Sequence, residues 1–164
     1  MKIINKLTLF SLVLILLPIH FTYAQQDSFF VGEISAKHIL TNFEDFAQHS
    51  NDVDYQQFDL TKLKNIQDNI VIKVFFGQWC HDSVREVPRV IKLLEQVNNP
   101  NITSWFYGLN TKKSDPLLLS KTHNIKKTPT VIIYKNDKEI GRILEVPQVN
   151  WLADIEALLL NTRY

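Results

Sequence analysis

The run Ile70-Val71-Ile72-Lys73-Val74-Phe75-Phe76 constrains this chain more than any other segment. It is short, rich in β-branched and aromatic residues, and apolar almost throughout. That is the pattern of a strand covered on both faces. A brief turn, Gly77-Gln78-Trp79, follows, and from Cys80 to about Val97 the period changes to that of a helix. Val84, Val87, Ile91 and Leu94 share one side of it. A covered strand that runs into an amphipathic helix needs a parallel neighbour reached by a right-handed crossover. The strand pattern Ile102 to Leu109 provides one. Pro88 lies inside the helix, where a kink is expected, and Asn98-Asn99-Pro100 ends it.

The rest of the chain extends this unit. Ser114 to His123 reads as a helix capped by Ser114 or Asp115. Thr130 to Tyr134 and Glu139 to Leu144 flank the hairpin signal Asn136-Asp137. After Pro147 comes a last amphipathic helix, Val149 to Leu160, with Trp151, Leu152, Ile155, Leu158 and Leu159 inward. Upstream, Phe29 to Ile34 reads as a short strand, and Ile39, Leu40, Phe43, Phe46 and Ala47 form one helical stripe. Asn51 to Asp54 is a polar loop, followed by a strand at Tyr55 to Phe58 and a short helix around Thr61 to Ile66. The order from residue 55 is β-α-β-α-β-α-β-β-α. The expected fold is α/β: a three-layer α/β/α domain over residues 55–164, with a mixed central sheet and a short N-terminal β-α extension at 25–54.

The first residues stand apart. Lys2 and Lys6 precede an apolar run from Leu7 to about Ile19, and Tyr23-Ala24 closes the segment with a small residue at the cleavage position. Residues 1–24 therefore read as a signal peptide, and the mature chain is expected to be exported, to a periplasm or the exterior, without stable membrane insertion. Removing Lys2 and Lys6 lowers the count of 18 basic residues to 16 against 17 acidic ones, so the net charge moves from +1 to −1. That balance argues against a nucleic-acid partner. An oxidising destination favours disulfides, but the chain has one cysteine and cannot close one internally. Cys80 is thus a buried bystander, an intermolecular bridge or a reactive thiol.

Its position favours reactivity. A thiol at a helix start faces unpaired N–H groups and the positive end of the helix dipole, and both favour the thiolate. His81 could assist as a cation, although adjacent helical residues diverge by about 100°. Asp82 also complements the dipole. Ser83, one turn on, could donate a hydrogen bond to the sulfur but cannot attack a mixed disulfide. Cys80, His81, Asp82 and His123 match no common zinc spacing, so no metal or other cofactor is expected.

The set Trp79-Cys80-x-Asp82-Ser83, Arg85-Glu86-Val87-Pro88 and Thr128-Pro129 before a hairpin resembles the thioredoxin superfamily, in particular exported thioredoxin-like proteins. The resemblance spans about residues 55 to 161. It implies a thioredoxin-like fold, a cis bond at Pro129 that exposes the Thr128 backbone beside Cys80, and Trp79 as a wall of the groove. Three departures stand out: Ser83 replaces a resolving cysteine, Val74 a buried acid, and Glu145 a glycine beside the groove. The expected activity is single-thiol exchange on client-protein disulfides or low-molecular-weight thiols, reductase- or isomerase-like. The competing reading is a non-catalytic module that captures extended segments at the Pro129 groove. A one-cysteine peroxidase is disfavoured by Gly77, where a hydroxyl residue is usual.

Overall fold

The computed structural model describes residues 29–160; the leader read at 1–24 lies outside the described residues. Among the described residues, five strands form one mixed sheet, in the spatial order β1 (Gly32–Ile34), β3 (Ile102–Gly108), β2 (Ile70–Phe76), β4 (Thr130–Lys135) and β5 (Lys138–Leu144). The apolar run is β2 (Ile70–Phe76), at the centre. It pairs in parallel with β3 (Ile102–Gly108) and antiparallel with β4 (Thr130–Lys135). The edge strand β5 (Lys138–Leu144) pairs antiparallel with β4. The intervening Asn136-Asp137 holds positive φ at both positions, 50° and 65°, as a tight hairpin turn requires.

The thick layer lies on one side of the sheet. There α4 (His81–Val97) and α6 (Trp151–Leu159) pack with the short helices α1 (Ala36–Asn42), α2 (Glu44–Gln48) and α3 (Thr61–Lys64). Ile70, Ile72, Val74 and Phe76 point to this side and are fully buried, as period-two alternation dictates. Each such side chain stabilises the fold by roughly 1.5–3 kcal/mol relative to exposure. α6 approaches closely because Gly141 on β5 has no side chain: a Cβ there would lie 2.5 Å from Leu158 Cδ2.

Four sequence expectations need correction. Tyr55 to Phe58 is not a strand but a 3₁₀ turn over Tyr55–Gln57, because Asp54 Oδ1 accepts the Gln56 N–H at 3.0 Å and caps it. The sheet edge is instead taken by β1 (Gly32–Ile34), antiparallel to β3, so the N-terminal segment is built into the sheet. The stripe from Ile39 to Ala47 is broken between α1 and α2 at Phe43, whose ψ of 94° is extended. The helix expected over Ser114 to His123 shrinks to α5 (Leu119–Thr122). Asn110 Oδ1 ties up the Lys112 and Ser114 N–H groups, both at 3.0 Å, and Lys113 and Leu118 take positive φ. Asp115 still acts at the helix start, accepting from Leu119 N and Ser120 N at 3.0 and 2.8 Å. Finally, β4 runs antiparallel to β2, so the β3–α5–β4 connection is not a parallel crossover.

The shortened α5 leaves the second sheet face thinly covered. Phe75, Tyr107, Leu109, Ile125 and Ile132 form its small core, with Trp105, Tyr134 and Leu119 packed beside them. Lys73, the one charge in β2, lies on this face with its Nζ 5.0 Å from the centre of the Tyr134 ring and 5.8 Å from that of Trp105.

Candidate functional site

The end of β2, the start of α4 and the turn into β4 meet at one place. Cys80 is the N-cap of α4, partly exposed, and its own N–H bonds the Gly77 carbonyl at 3.0 Å. The thiol makes no capping bond to the first helical turn. It turns instead toward the loop before β4 and donates to the Thr128 carbonyl, with Sγ 3.0 Å from the oxygen. The helix-start geometry read from the sequence is present, but the sulfur's polar partner is across the groove.

The far wall is the Lys127–Thr130 turn. The Thr128–Pro129 peptide bond is cis. Thr130 Oγ1 donates to the Lys127 carbonyl at 2.7 Å, and the Pro129 carbonyl accepts the Glu145 N–H at 2.8 Å. Glu145 holds φ at 61°, a region that favours glycine. Its carboxylate pairs with Lys127 Nζ at 3.1 Å, a bond in solvent beside the turn.

Trp79 forms the wall at the other end. Its Nε1 donates to the Leu109 carbonyl at 3.0 Å, and Lys113 Nζ sits 5.4 Å from the centre of its ring. The ring folds back over Gly77, where a Cβ would lie 2.6 Å from it. Gln78 Oε1 accepts the Phe30 N–H at 2.9 Å, tying the N-terminal segment to this loop.

The other site residues sit differently. Ser83 is fully buried, and its Oγ accepts the Gly77 N–H at 3.1 Å rather than facing the sulfur. The His81 side chain is 87% exposed, with its nearest anion, Asp82, at 3.9 Å. Asp82 bonds Arg85 at 3.0 Å. His123 lies on the thin face, 3.4 Å from Lys73 Nζ, apart from Cys80. Among the described residues no three His, Cys, Asp or Glu side chains gather as metal ligands, and no helix is long and apolar enough to cross a membrane.

One group escaped sequence reasoning. Val74 is buried where the resemblance implied an acid, yet an acid is buried elsewhere: Glu86, on α4. The Glu86 carboxylate accepts from Arg85 Nε at 2.6 Å, from an Arg89 guanidinium N–H at 3.1 Å and from the Trp151 indole N–H at 2.8 Å. The Glu86 bond, ahead of all other causes, holds Arg85 even more firmly protonated than usual. Arg89 continues to Asp52 at 3.0 Å, and Asp52 to His49 at 2.7 Å. The bond from His49, then that from Arg89, keeps the Asp52 carboxyl below its ordinary range. The available signal was Arg85 and Arg89 bracketing a glutamate in phase with Val87 and Val90.

Comparisons with known proteins agree with this architecture. A family model described as thioredoxin matches residues 33–155. No curated protein matches the chain. Among solved structures, a protein of unknown function from Pseudomonas aeruginosa is similar with a TM-score of 0.54 at 18% identity, over 79% of this chain and 81% of that one. An HIV 4E10 epitope scaffold reaches 0.53 at 21%, over 79% and 83%. These likenesses speak for the fold, whereas the family match spans most of the sequence, from β1 through the groove into α6. On that span, the chain belongs to the thioredoxin family.

Proposed function

We propose that this protein carries out thiol–disulfide exchange through Cys80 alone, on client-protein disulfides or low-molecular-weight thiols in an exported setting. The observation that carries the reading is the partly exposed Cys80 sulfur, at the start of a 17-residue helix and 3.0 Å from the Thr128 carbonyl. An extended client pairing with the Thr128 backbone would offer an N–H to that same carbonyl. The thiol would lose its acceptor as the client arrives. Its proton then passes to solvent, and the thiolate attacks one client sulfur. A Cys80–client bond forms, the client S–S bond breaks, and the second client sulfur leaves as a thiolate. With Ser83 unable to resolve the adduct, a glutathione-like thiol or the client's own thiolate attacks the client sulfur and returns Cys80 as a thiolate. In the first route a second such thiol then attacks the small-molecule sulfur now bonded to the client, releasing the client thiol and a low-molecular-weight disulfide, which completes the reduction. In the second, attack by a further client cysteine leaves the client disulfide isomerised, whereas return of the original thiolate only reverses the exchange.

The test is exchange with a peptide disulfide, followed by mass spectrometry of the trapped adduct and by insulin reduction with added glutathione. Wild type should form a one-to-one mixed disulfide, Cys80→Ala none, and Ser83→Cys should turn over several-fold faster. Equal turnover by wild type and Cys80→Ala overturns the proposal. A second reading, a non-catalytic module that captures extended segments, is favoured by Ser83 being spent on the Gly77 N–H. It expects client capture to be unchanged in Cys80→Ala.

A further inference from the structure

Two pairs of lysines stand at the walls of the Cys80 groove. Lys126 and Lys127 are exposed and lead into the Thr128–Pro129 turn, while Lys112 and Lys113 lie in the loop after β3. Each pair is tied to the contact between Cys80 and Thr128. Lys127 directly precedes Thr128, and its carbonyl accepts the Thr130 hydroxyl at 2.7 Å, which fixes where its side chain starts. Lys113 sets Nζ 5.4 Å from the centre of the Trp79 ring, and Trp79 directly precedes Cys80. The Lys113 backbone is held by its own N–H, 2.8 Å from the Asn110 carbonyl. The sulfur therefore has a cation at each wall.

Little neutralises them. Asp115, in the loop of Lys113, is buried and accepts the Leu119 and Ser120 N–H groups. At the start of α4, Asp82 is bonded to Arg85. Among the described residues Glu145 is the one carboxylate within ion-pair distance of any of the four lysines, at 3.1 Å from Lys127. The two side chains of that pair are 53% exposed for Lys127 and 37% for Glu145, and an ion pair in solvent gives up its partner at little cost. The Glu145 N–H stays on the Pro129 carbonyl whatever its carboxylate does. Residues 25–164 carry 16 basic against 17 acidic side chains, a net charge of −1, so the basic rim is local to the groove.

We propose that the groove selects client segments bearing Asp or Glu close to the reacting cysteine, and that Glu145 is the resting occupant which such a carboxylate replaces on Lys127. The proposal rests on the exchange reading above and names its client class. An extended segment rises ~3.3 Å per residue, so side chains one to three positions from a cysteine at Cys80 lie roughly 3–10 Å along the groove. That is the span of Lys127 on one wall and Lys113 on the other. A lysine or arginine at those positions would meet like charge, and a neutral side chain would draw nothing from the rim.

The test uses cysteine-free peptides, serine standing for the client cysteine, so that binding is read without any redox step. One peptide carries glutamate two residues on either side of the serine; its control carries glutamine there. By calorimetry at low ionic strength, the glutamate peptide should bind wild type about fivefold more tightly, and the ratio should fall below about twofold in about 0.5 M salt. Lys113→Gln and Lys127→Gln should each lower the ratio, and the double variant should bring it to about one. Glu145→Gln should raise it about twofold, because Lys127 is then free. Lys138→Gln, at the opposite end of the β4–β5 pairing from Thr130, should leave it unchanged. Far-UV circular dichroism checks the fold of each variant. Equal affinities in wild type, binding of neither peptide at millimolar concentration, or a loss in Lys138→Gln as large as in Lys127→Gln overturns the proposal even if Cys80 exchanges disulfides normally. A ratio that Glu145→Gln fails to raise overturns the resting-occupant role. An inert Cys80 with the charge preference intact overturns the exchange reading and keeps the acidic-segment preference.

Discussion

At Glu145 the backbone adopts a φ of 61°, and the residue pays for it with side-chain crowding that glycine would not feel. The position is held because its N–H bonds the Pro129 carbonyl and so ties the end of β5 to the turn that walls the groove. Comparing Glu145→Gly with Glu145→Ala isolates the backbone effect, since both lose the ion pair to Lys127. The glycine variant should be about 1 kcal/mol more stable than the alanine one by urea unfolding; equal midpoints would show that the conformation costs nothing. The resemblance to thioredoxins, counted along the hairpin, implied Glu145 beside the groove, because strand and hairpin lengths are locally coded. The direction of the Cys80 thiol was not legible. A helix start predicts a sulfur among N–H groups, while the carbonyl that captures it lies 48 residues away on another element.

Among the elements, β2 was readable from its continuous apolar run, and α4 and α6 from their unbroken helical stripes. The Tyr55–Gln57 turn and the four-residue α5 were not. There, side-chain oxygens of Asp54 and Asn110 outcompete the repeating backbone ladder, and such local bonds leave little trace in hydrophobic spacing. α4 shows a related limit. Its apolar stripe places the helix on the sheet, yet what fixes it against α6 is a charged residue, Glu86, bonded to Trp151. Replacing one partner of a buried ionic cluster leaves the others unpaired. Glu86→Gln keeps the volume and an acceptor for the indole but leaves Arg85 and Arg89 facing a neutral group. Their side chains are 28% and 26% exposed, so water compensates in part. A loss of about 2–3 kcal/mol is expected in urea unfolding. A loss below about 0.5 kcal/mol would mean the cluster does not hold the two helices.

At the largest scale the described residues form an asymmetric sandwich, with a thick core on one sheet face and a thin one on the other, and a titratable group is set against each. On the thin face, burial pushes the Asp115 carboxyl up, but the backbone N–H groups of Ser120 and Leu119, with the Ser120 and Tyr107 hydroxyls, together outweigh it and hold it below the ordinary carboxylate range. A depressed pKa contributes stability above the unfolded value and loses it as pH falls through the folded one, so the acid limb begins below about pH 4. On the thick side, burial first, with Glu86 adding and Arg89 opposing, pushes the Tyr55 phenol up to about 12 from an ordinary 10.0. A raised pKa works in the other direction: the contribution is complete below pH 10 and is lost as pH rises toward 12. Urea midpoints measured against pH should therefore fall at both ends. Tyr55→Phe, which keeps the ring, should flatten the limb between pH 10 and 12 while leaving the acid limb in place. An alkaline limb equally steep in the variant would show that the thick core is not limited by this phenol.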